Sequence, residues 1–490
     1  MFRSLRYSLF PVLNITAPVL IAFAFILLIP CLVSFLYADG AQGGFEIASL
    51  SCLLTGSALH LLTFRDKREL LPRDGFLLAT IIWVTIPIFA SIPLYLEIDG
   101  LSYTLAFFEA MSGTTTTCAT ALAGLDMLPA SLNFWRCFLS WLGGMGILVL
   151  AVAILPLLGV GGSQIFKAES SGPMKESRLT PRIADTAKGL WSIYVALSIA
   201  CAFAFKFAGM NTFDSILHAF STVSLGGFSS HDASFGYWNN PSIEITAIIF
   251  MLLCGMSFSL HFVAWKHRSP LAYFKNPECL AWLAISLVIT LTVAAILYFN
   301  GNYTDPLTAV RVAAFNVVST ISTSGFATED FNLWPAAASI LMFIGACFAT
   351  CGGSTGGGMK MMRAIILVKQ ASRQFALTLH PKAVLPVTIA GGVIESSVVF
   401  SALSFMLLWT VCSIAATWLL MVTGLDLTTA ISAAIACITN LGPGLGAVGP
   451  YSNFSVLSDT QLWLCSFLML IGRLELVTVF VLFTRTFWRF

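Results

Sequence analysis

Four stretches decide the fold: FFEAMSGTTTTCAT (107–120), ILHAFSTVSLGGFSS (216–230), VAAFNVVSTISTSGFAT (312–328) and ISAAIACITNLGPGLG (431–446). Each begins as an apolar run about half a membrane span long and ends in Gly, Ser and Thr. Aligned on Cys118, Gly227, Gly325 and Gly442, they recur 109, 98 and 117 residues apart, which marks an internally repeated architecture. Irregular backbone at membrane depth is tolerated only where it is buried in protein or lines a water-filled cavity. Four such loops, each led in by a half-helix, predict one central pore lined by carbonyls. The half-helices would aim their negative dipole ends at its centre and favour a cation there. Glycine lets carbonyls turn inward because positive φ costs it nothing. One such stretch alone reads as small-residue packing between helices; four in register do not.

Composition supplies the membrane. Of 490 residues, 58% are hydrophobic and only 10% charged, with a mean hydropathy of +0.88. A soluble domain carries roughly 25% charged residues, so no water-facing surface can be built from this inventory. The net charge of +2 excludes a nucleic-acid-binding face as the main activity. The 12 cysteines include no CxxC pair, so neither a zinc site nor a disulfide framework is indicated. No cleavable signal peptide is in view, and no HExxH or GxSxG supports an intramembrane enzyme.

Spans of suitable length read at 15–37, 48–63, 76–96, 134–158, 189–209, 243–265, 280–299, 336–369 (interrupted), 383–423 (overlong) and 462–483. The segments on alternate sides of successive spans hold 21 of the 25 Lys and Arg, which places that side and both termini in the cytoplasm. The opposite side carries Asp39, Glu97, Asp99, Asp126, Asp214, Asp232, Asp305, Glu329, Asp330, Asp426 and Asp459. Each alone reads as loop solvation; together they form an anionic mouth that concentrates cations. The expected fold is an all-α polytopic membrane protein of ten spans. Four pseudo-repeats of helix, pore helix, filter loop and helix surround one pore, at 75–183, 184–277, 278–382 and 383–490. Two extra N-terminal helices (1–74) precede them.

The motifs SGTTTTCAT (112–120), STVSLGGFSSHDASFGY (221–237), STSGFATEDFNLWP (322–335), CGGSTGGGMK (351–360), NLGPGLG (440–446) and GRLELVTVFVLF (472–483) are specific as a set. With them the chain resembles, nearly end to end, the TrkH branch of the Trk/Ktr/HKT superfamily of potassium transporters. The resemblance implies K⁺ as the transported substrate with no organic cofactor, inward passage across a bacterial inner membrane, and a homodimer. It also implies a cytosolic TrkA-type ring of nucleotide-binding regulatory subunits. Carried over by position, the filter is Thr116, Thr117 and Cys118; Leu225, Gly226 and Gly227; Thr323, Ser324 and Gly325; and Asn440, Leu441 and Gly442. Cys118 departs from the family's glycine, and a side chain there resists φ > 0, which puts strict discrimination against Na⁺ in question.

The segment 351–358 holds Gly352, Gly353, Gly356, Gly357 and Gly358 in eight positions. At roughly 0.8–1 kcal/mol per glycine relative to alanine, a helix there would lose several kcal/mol. An unwound intramembrane gate is expected, not a phosphate loop, since GxxxxGK[ST] is unmet. Arg473 falls within the 462–483 span, where an ionisable residue is functional by default. It reads either as a charge barrier in the ion path or as the ion-pair partner of Glu475 or Glu395. Glu109 and Arg311 invite a structural pairing of their own. The competing reading is a proton- or sodium-coupled secondary cation symporter; the loops all enter from one side and hold no carboxylate, which favours a pore.

Overall fold

The computed structural model describes residues 2–65, 70–146, 183–348 and 350–488. Phe2–Ile26, Leu28–Tyr37 and Gln42–Thr63 come first. A long helix, a short helix, an irregular loop and a further helix then follow in sequence. The long helices are Pro72–Glu97, Ile183–Ala208, Pro277–Phe299 and Ser396–Val422. The short ones are Tyr103–Thr114, Thr212–Val223, Pro306–Ile321 and Leu427–Thr439, and the loops after them are called loops 1 to 4. Ala130–Gly144, Pro241–Cys254, Ala336–Phe348 and Asp459–Arg473 lead away from loops 1 to 4.

At 12 to 16 residues, a short helix rises roughly 18–24 Å and falls short of the ~30 Å hydrocarbon core. Each starts at a side-chain cap. Ser102 accepts from the Leu105 amide, Asn211 from Asp214, Asp305 from Leu307 and Thr308, and Asp426 from Thr429. Such caps satisfy amides that the first turn leaves over. Asp305 and Asp426 therefore serve as caps, and Asp39 binds the Ser131 and Ala41 amides, which leaves less of the acidic side free than the sequence suggests.

Six helices among the described residues are long and apolar enough to cross a membrane, or up to eight if each of two bent pairs is one span. The bends correct two expected continuous spans. The 243–265 span breaks by 90° between Pro241–Cys254 and Phe258–Lys266, and the 462–483 span by 110° between Asp459–Arg473 and Leu476–Phe483. At the first break the freed backbone is paired with the glycine-rich segment: Phe258 N donates to Gly353 O (2.9 Å) and Cys351 N to Gly255 O (3.0 Å). That pairing makes a broken helix tolerable in the membrane. At the second, Glu475 takes φ +57 and pairs with Arg363. Arg473 is thus the last residue of its helix and stands at a bend.

The overlong 383–423 segment resolves into Ser396–Val422, preceded by a two-stranded antiparallel hairpin, Thr388–Ile389 with Gly392–Val393, the one exception to an all-α fold among the described residues. The second half of the 134–158 span lies outside the described residues. So do Lys67, Arg68, Lys167, Lys175, Arg178, Arg182 and Arg489.

Helix Ala130–Gly144 packs so close to the end of the first short helix that a Cβ on Gly143 would stand 1.9 Å from Thr114 O. Gly143→Ala should lower stability by about 1–3 kcal/mol. Gly43→Ala, where a Cβ meets nothing nearer than 3.6 Å, should leave the thermal midpoint in detergent unchanged or slightly raised.

Candidate functional site

All four loops leave their helices by one hydrogen-bonding pattern. In loop 1, Thr116 N donates to Gly113 O and Thr117 N to Ser112 O. The same offsets recur for Leu225 and Gly226, for Thr323 and Ser324, and for Asn440 and Leu441. This is the Schellman closure, which places a left-handed residue just past the helix end and is normally made by glycine. Here Thr116 (φ 55), Leu225 (φ 53), Thr323 (φ 61) and Asn440 (φ 55) take that conformation. A non-glycine residue pays roughly 1–2 kcal/mol for it. Four such residues recur at equivalent places, and backbone strain of this kind clusters at functional sites.

Two residues on, φ is again positive at Cys118 (52), Gly227 (91), Gly325 (82) and Gly442 (98). Cys118 therefore adopts the conformation its side chain disfavours. Each loop's amides have turned back into its own helix. Among the described residues, none of the carbonyls at 116–118, 225–227, 323–325 and 440–442 accepts a hydrogen bond.

The loops meet side by side. A Cβ on Gly227 would stand 1.8 Å from Ser324 O, one on Gly325 2.3 Å from Leu441 O, and one on Gly442 2.9 Å from Thr117 O. Three joints are thus glycine against carbonyl. At the fourth, between loops 1 and 2, the Cys118 thiol takes that place, 2.9 Å from where Gly226 would carry a Cβ. Its Sγ reaches Ser140 Oγ at 3.5 Å. Cys118, Gly227, Gly325, His231, Asp232 and Arg136 line one open cavity.

Beneath the loops lies the glycine-rich segment. Gly357 N donates to Thr323 Oγ1 (2.8 Å) and Thr355 Oγ1 to Val223 O (3.0 Å). A Cβ on Gly357 would stand 2.0 Å from Thr439 O. The segment thus touches loop 3 and the C-terminal ends of the short helices that lead into loops 2 and 4. Arg473 completes the circuit: its guanidinium donates to Thr355 O (2.9 Å) and to Gly143 O and Gly144 O beneath loop 1 (2.5 and 3.0 Å). Lys360 Nζ donates to Gly356 O. The Glu278 carboxylate clasps both flanks of the segment, accepting from Gly352 N (2.7 Å) and Met362 N (3.0 Å). Glu475, expected as a partner of Arg473, pairs with Arg363 at 2.6 Å, and Glu395 holds Ser397.

The family model described as TrkH, cation transport protein, matches residues 44–489. The chain belongs to the TrkH family. The Trk system potassium uptake protein TrkH of Halomonas elongata is 43% identical over 98% of this chain and 100% of its own length. The protein of that name from Escherichia coli K12 is 40% identical over 97% and 98%. The crystal structure of the potassium transporter TrkH from Vibrio parahaemolyticus superposes with a TM-score of 0.88 at 40% identity, covering 98% of this chain and all of that one. These relatives are transporters, not enzymes.

Sequence reading singled out Glu109 for a pairing with Arg311 but missed the bracing role that it shares with residues behind the other loops. Nine positions before Cys118, Gly227, Gly325 and Gly442 stand Glu109, His218, Asn316 and Ala433. Glu109 accepts from Ala121 N (2.8 Å), Asn316 from Thr328 N (3.2 Å), and His218 Nε2 bonds Ser229 Oγ (2.9 Å). The alignment that found the loops contains this signal. The expected Glu109–Arg311 pair does not form: Glu109 binds Arg136 and Arg311 lies 3.6 Å from Glu244.

Farther along loop 2, His231 lies between Asp126 and Asp214 and stacks on Tyr237 at 3.6 Å. Burial opposes its charge, but hydrogen bonds to Asp214 and Asp126 outweigh burial and raise its pKa. Burial likewise opposes the charge on Asp214, yet His231 and Ser230 bring it down to about 2. The histidine's contribution is complete below its ordinary value of about 6.5 and is lost as pH rises through the raised one. The carboxylate's persists until pH falls towards 2. The thermal midpoint should therefore decline above about pH 6.5, and His231→Gln should flatten that decline.

Proposed function

We propose that the chain carries K⁺ inward across a bacterial cytoplasmic membrane. In this reading four repeats and ten spans surround one pore, with both termini cytoplasmic. Loops 1 to 4 are the selectivity filter and segment 351–358 the gate. The observation that carries the proposal is the set of unengaged carbonyls in four adjacent loops, each at the C-terminal end of a short helix. Each helix end presents about half a negative charge. Neutral oxygens in such a field suit a monovalent cation giving up its hydration shell, whereas divalent ions are usually held by carboxylates. The names of the relatives, potassium uptake proteins of the Trk system, support the same ion.

Contacts beneath the filter support a closed gate. The segment brings Lys360, and Arg473 its own charge, close to where the helix dipoles favour a permeating cation. Arg473 acts as a strut as well as a barrier, since it ties Thr355 to Gly143 and Gly144. The functional unit is a homodimer, and a TrkA-type nucleotide-binding ring on the cytoplasmic face sets the gate. The absence of carboxylates from positions 116–118, 225–227, 323–325 and 440–442 favours passive conduction over symport.

Purified protein in liposomes should pass K⁺ down its gradient with no proton or sodium gradient; flux only when one is imposed would establish the symporter. Arg473→Gln should raise flux per folded protein in the absence of the cytosolic partner. A Coulomb term of roughly 3 kcal/mol, for about 6 Å at an effective dielectric near 20, corresponds to about a hundredfold in rate. Gly325→Ser should abolish growth rescue of a K⁺-uptake-deficient strain on low K⁺.

A further inference from the structure

The four filter loops are braced from behind by different chemistry, and among the equivalent residues Glu109, His218, Asn316 and Ala433 it is Glu109 that sits in a buried ion pair, with Arg136. The Arg136 side chain is 1% exposed. Its Nε donates to Glu109 Oε1 (2.8 Å), Nη1 to Asn133 Oδ1 and Ser229 O (both 3.1 Å), and Nη2 to Thr120 Oγ1 (3.2 Å). The guanidinium also lies 4.4 Å from the centre of the Phe228 ring. Glu109 in turn takes the Ala121 amide and the Thr120 hydroxyl. One cation thus grips the outer limb of loop 1, through Thr120 and Glu109, and the outer limb of loop 2, at Phe228 and Ser229. These are the limbs on either side of the joint where Cys118 stands in for glycine. In loop 3 a neutral Asn316 performs the equivalent local task, its Nδ2 donating to Thr328 Oγ1, with glycine against carbonyl on both sides.

We propose that Arg136, held by Glu109, is a positioning residue that keeps the loop 1–loop 2 joint closed and thereby sets the ion discrimination of the filter. A planar guanidinium with five donors in a fixed fork spans two backbones and a carboxylate at once; lysine's single ammonium does not. Where glycine and carbonyl interlock, the loops fix each other. Where a thiol intervenes they do not, and the outer brace supplies the missing constraint. The pair makes no contact with the ion, and the proposal rests on the filter reading above.

The test uses the full-length protein in liposomes and the double variant Glu109→Gln with Arg136→Met. The amide oxygen of glutamine still accepts from Ala121 N, and removing both charges avoids leaving one unpaired, so folding should survive. Two readouts are taken at matched thermal stability. One is the rate at which a membrane-impermeant cationic thiosulfonate, added outside, modifies Cys118, followed by mass spectrometry. The other is the K⁺/Na⁺ permeability ratio from reversal potentials. Cys118 modification should accelerate at least about tenfold as the joint opens, and the ratio should fall at least about threefold. Arg136→Lys alone should not restore the wild-type labelling rate.

Unchanged labelling in the folded double variant overturns the brace. Faster labelling at an unchanged ratio overturns its part in discrimination. Gly325→Ser separates this from the filter reading. If it lowers the ratio and the double variant does not, the brace alone is wrong; if neither does, the filter assignment fails first.

Discussion

The proposed ion pathway depends on which way the backbone at 116–118, 225–227, 323–325 and 440–442 spends its amides. In each loop, the N–H groups next to the left-handed residue are committed to the helix just ended, and the carbonyls that follow are left over. A buried polar group without a partner costs about 1–3 kcal/mol, so a folded protein keeps such groups only where something else engages them. The rest of the structure serves that commitment. Caps at Ser102, Asn211, Asp305 and Asp426 anchor the far ends of the short helices. Glycines at Gly227, Gly325 and Gly442 let neighbouring loops close to backbone contact, and polar residues one helical layer behind fix the outer limbs.

The loops were legible because glycine, serine and threonine recur at nearly constant intervals in a chain otherwise too apolar to interrupt itself. Membrane spans were legible for the same reason. The two bends were not. Neither has a proline, and a lone Gly255 or Gly472 within an apolar run is common in membrane helices. What makes them bends is partnership with segments distant in sequence, Gly353 for one and Arg363 for the other. The role of Arg473 failed to show for a related reason: its hydrogen-bond acceptors are backbone carbonyls, which carry no residue signature. Asp305 and Asp426 looked like a charged mouth but are caps, a distinction of position within a turn. Glu109, His218 and Asn316 were within reach of the repeat alignment; their chemistries differ, so similarity alone does not pick them out.

That difference has a physical sense. In an assembly of identical subunits all four filter walls must change together. In one chain each wall can be held by a separate device, and a defect at one joint can be offset locally. Cys118 beside Arg136 is an instance: strain and steric bulk on one loop coexist with three joints that keep glycine. Asymmetry also frees loop 4, whose Ala433 leaves bracing to Ser432 and its bonds to the amide and carbonyl of Leu445.

The pairing of Phe258 with Gly353 and of Cys351 with Gly255 joins two interrupted helices into one mechanical part. Each supplies the backbone partner that the other's break removed. Withdrawing the glycine-rich segment by itself would strand two amides and two carbonyls, a penalty of several kcal/mol in hydrocarbon. The inexpensive motion is a shared one, in which the helix Phe258–Lys266 swings with the segment it is stitched to. Its far end carries Lys266 with Arg268 just beyond, so a force applied to that basic tip would act as a lever on the glycine-rich segment.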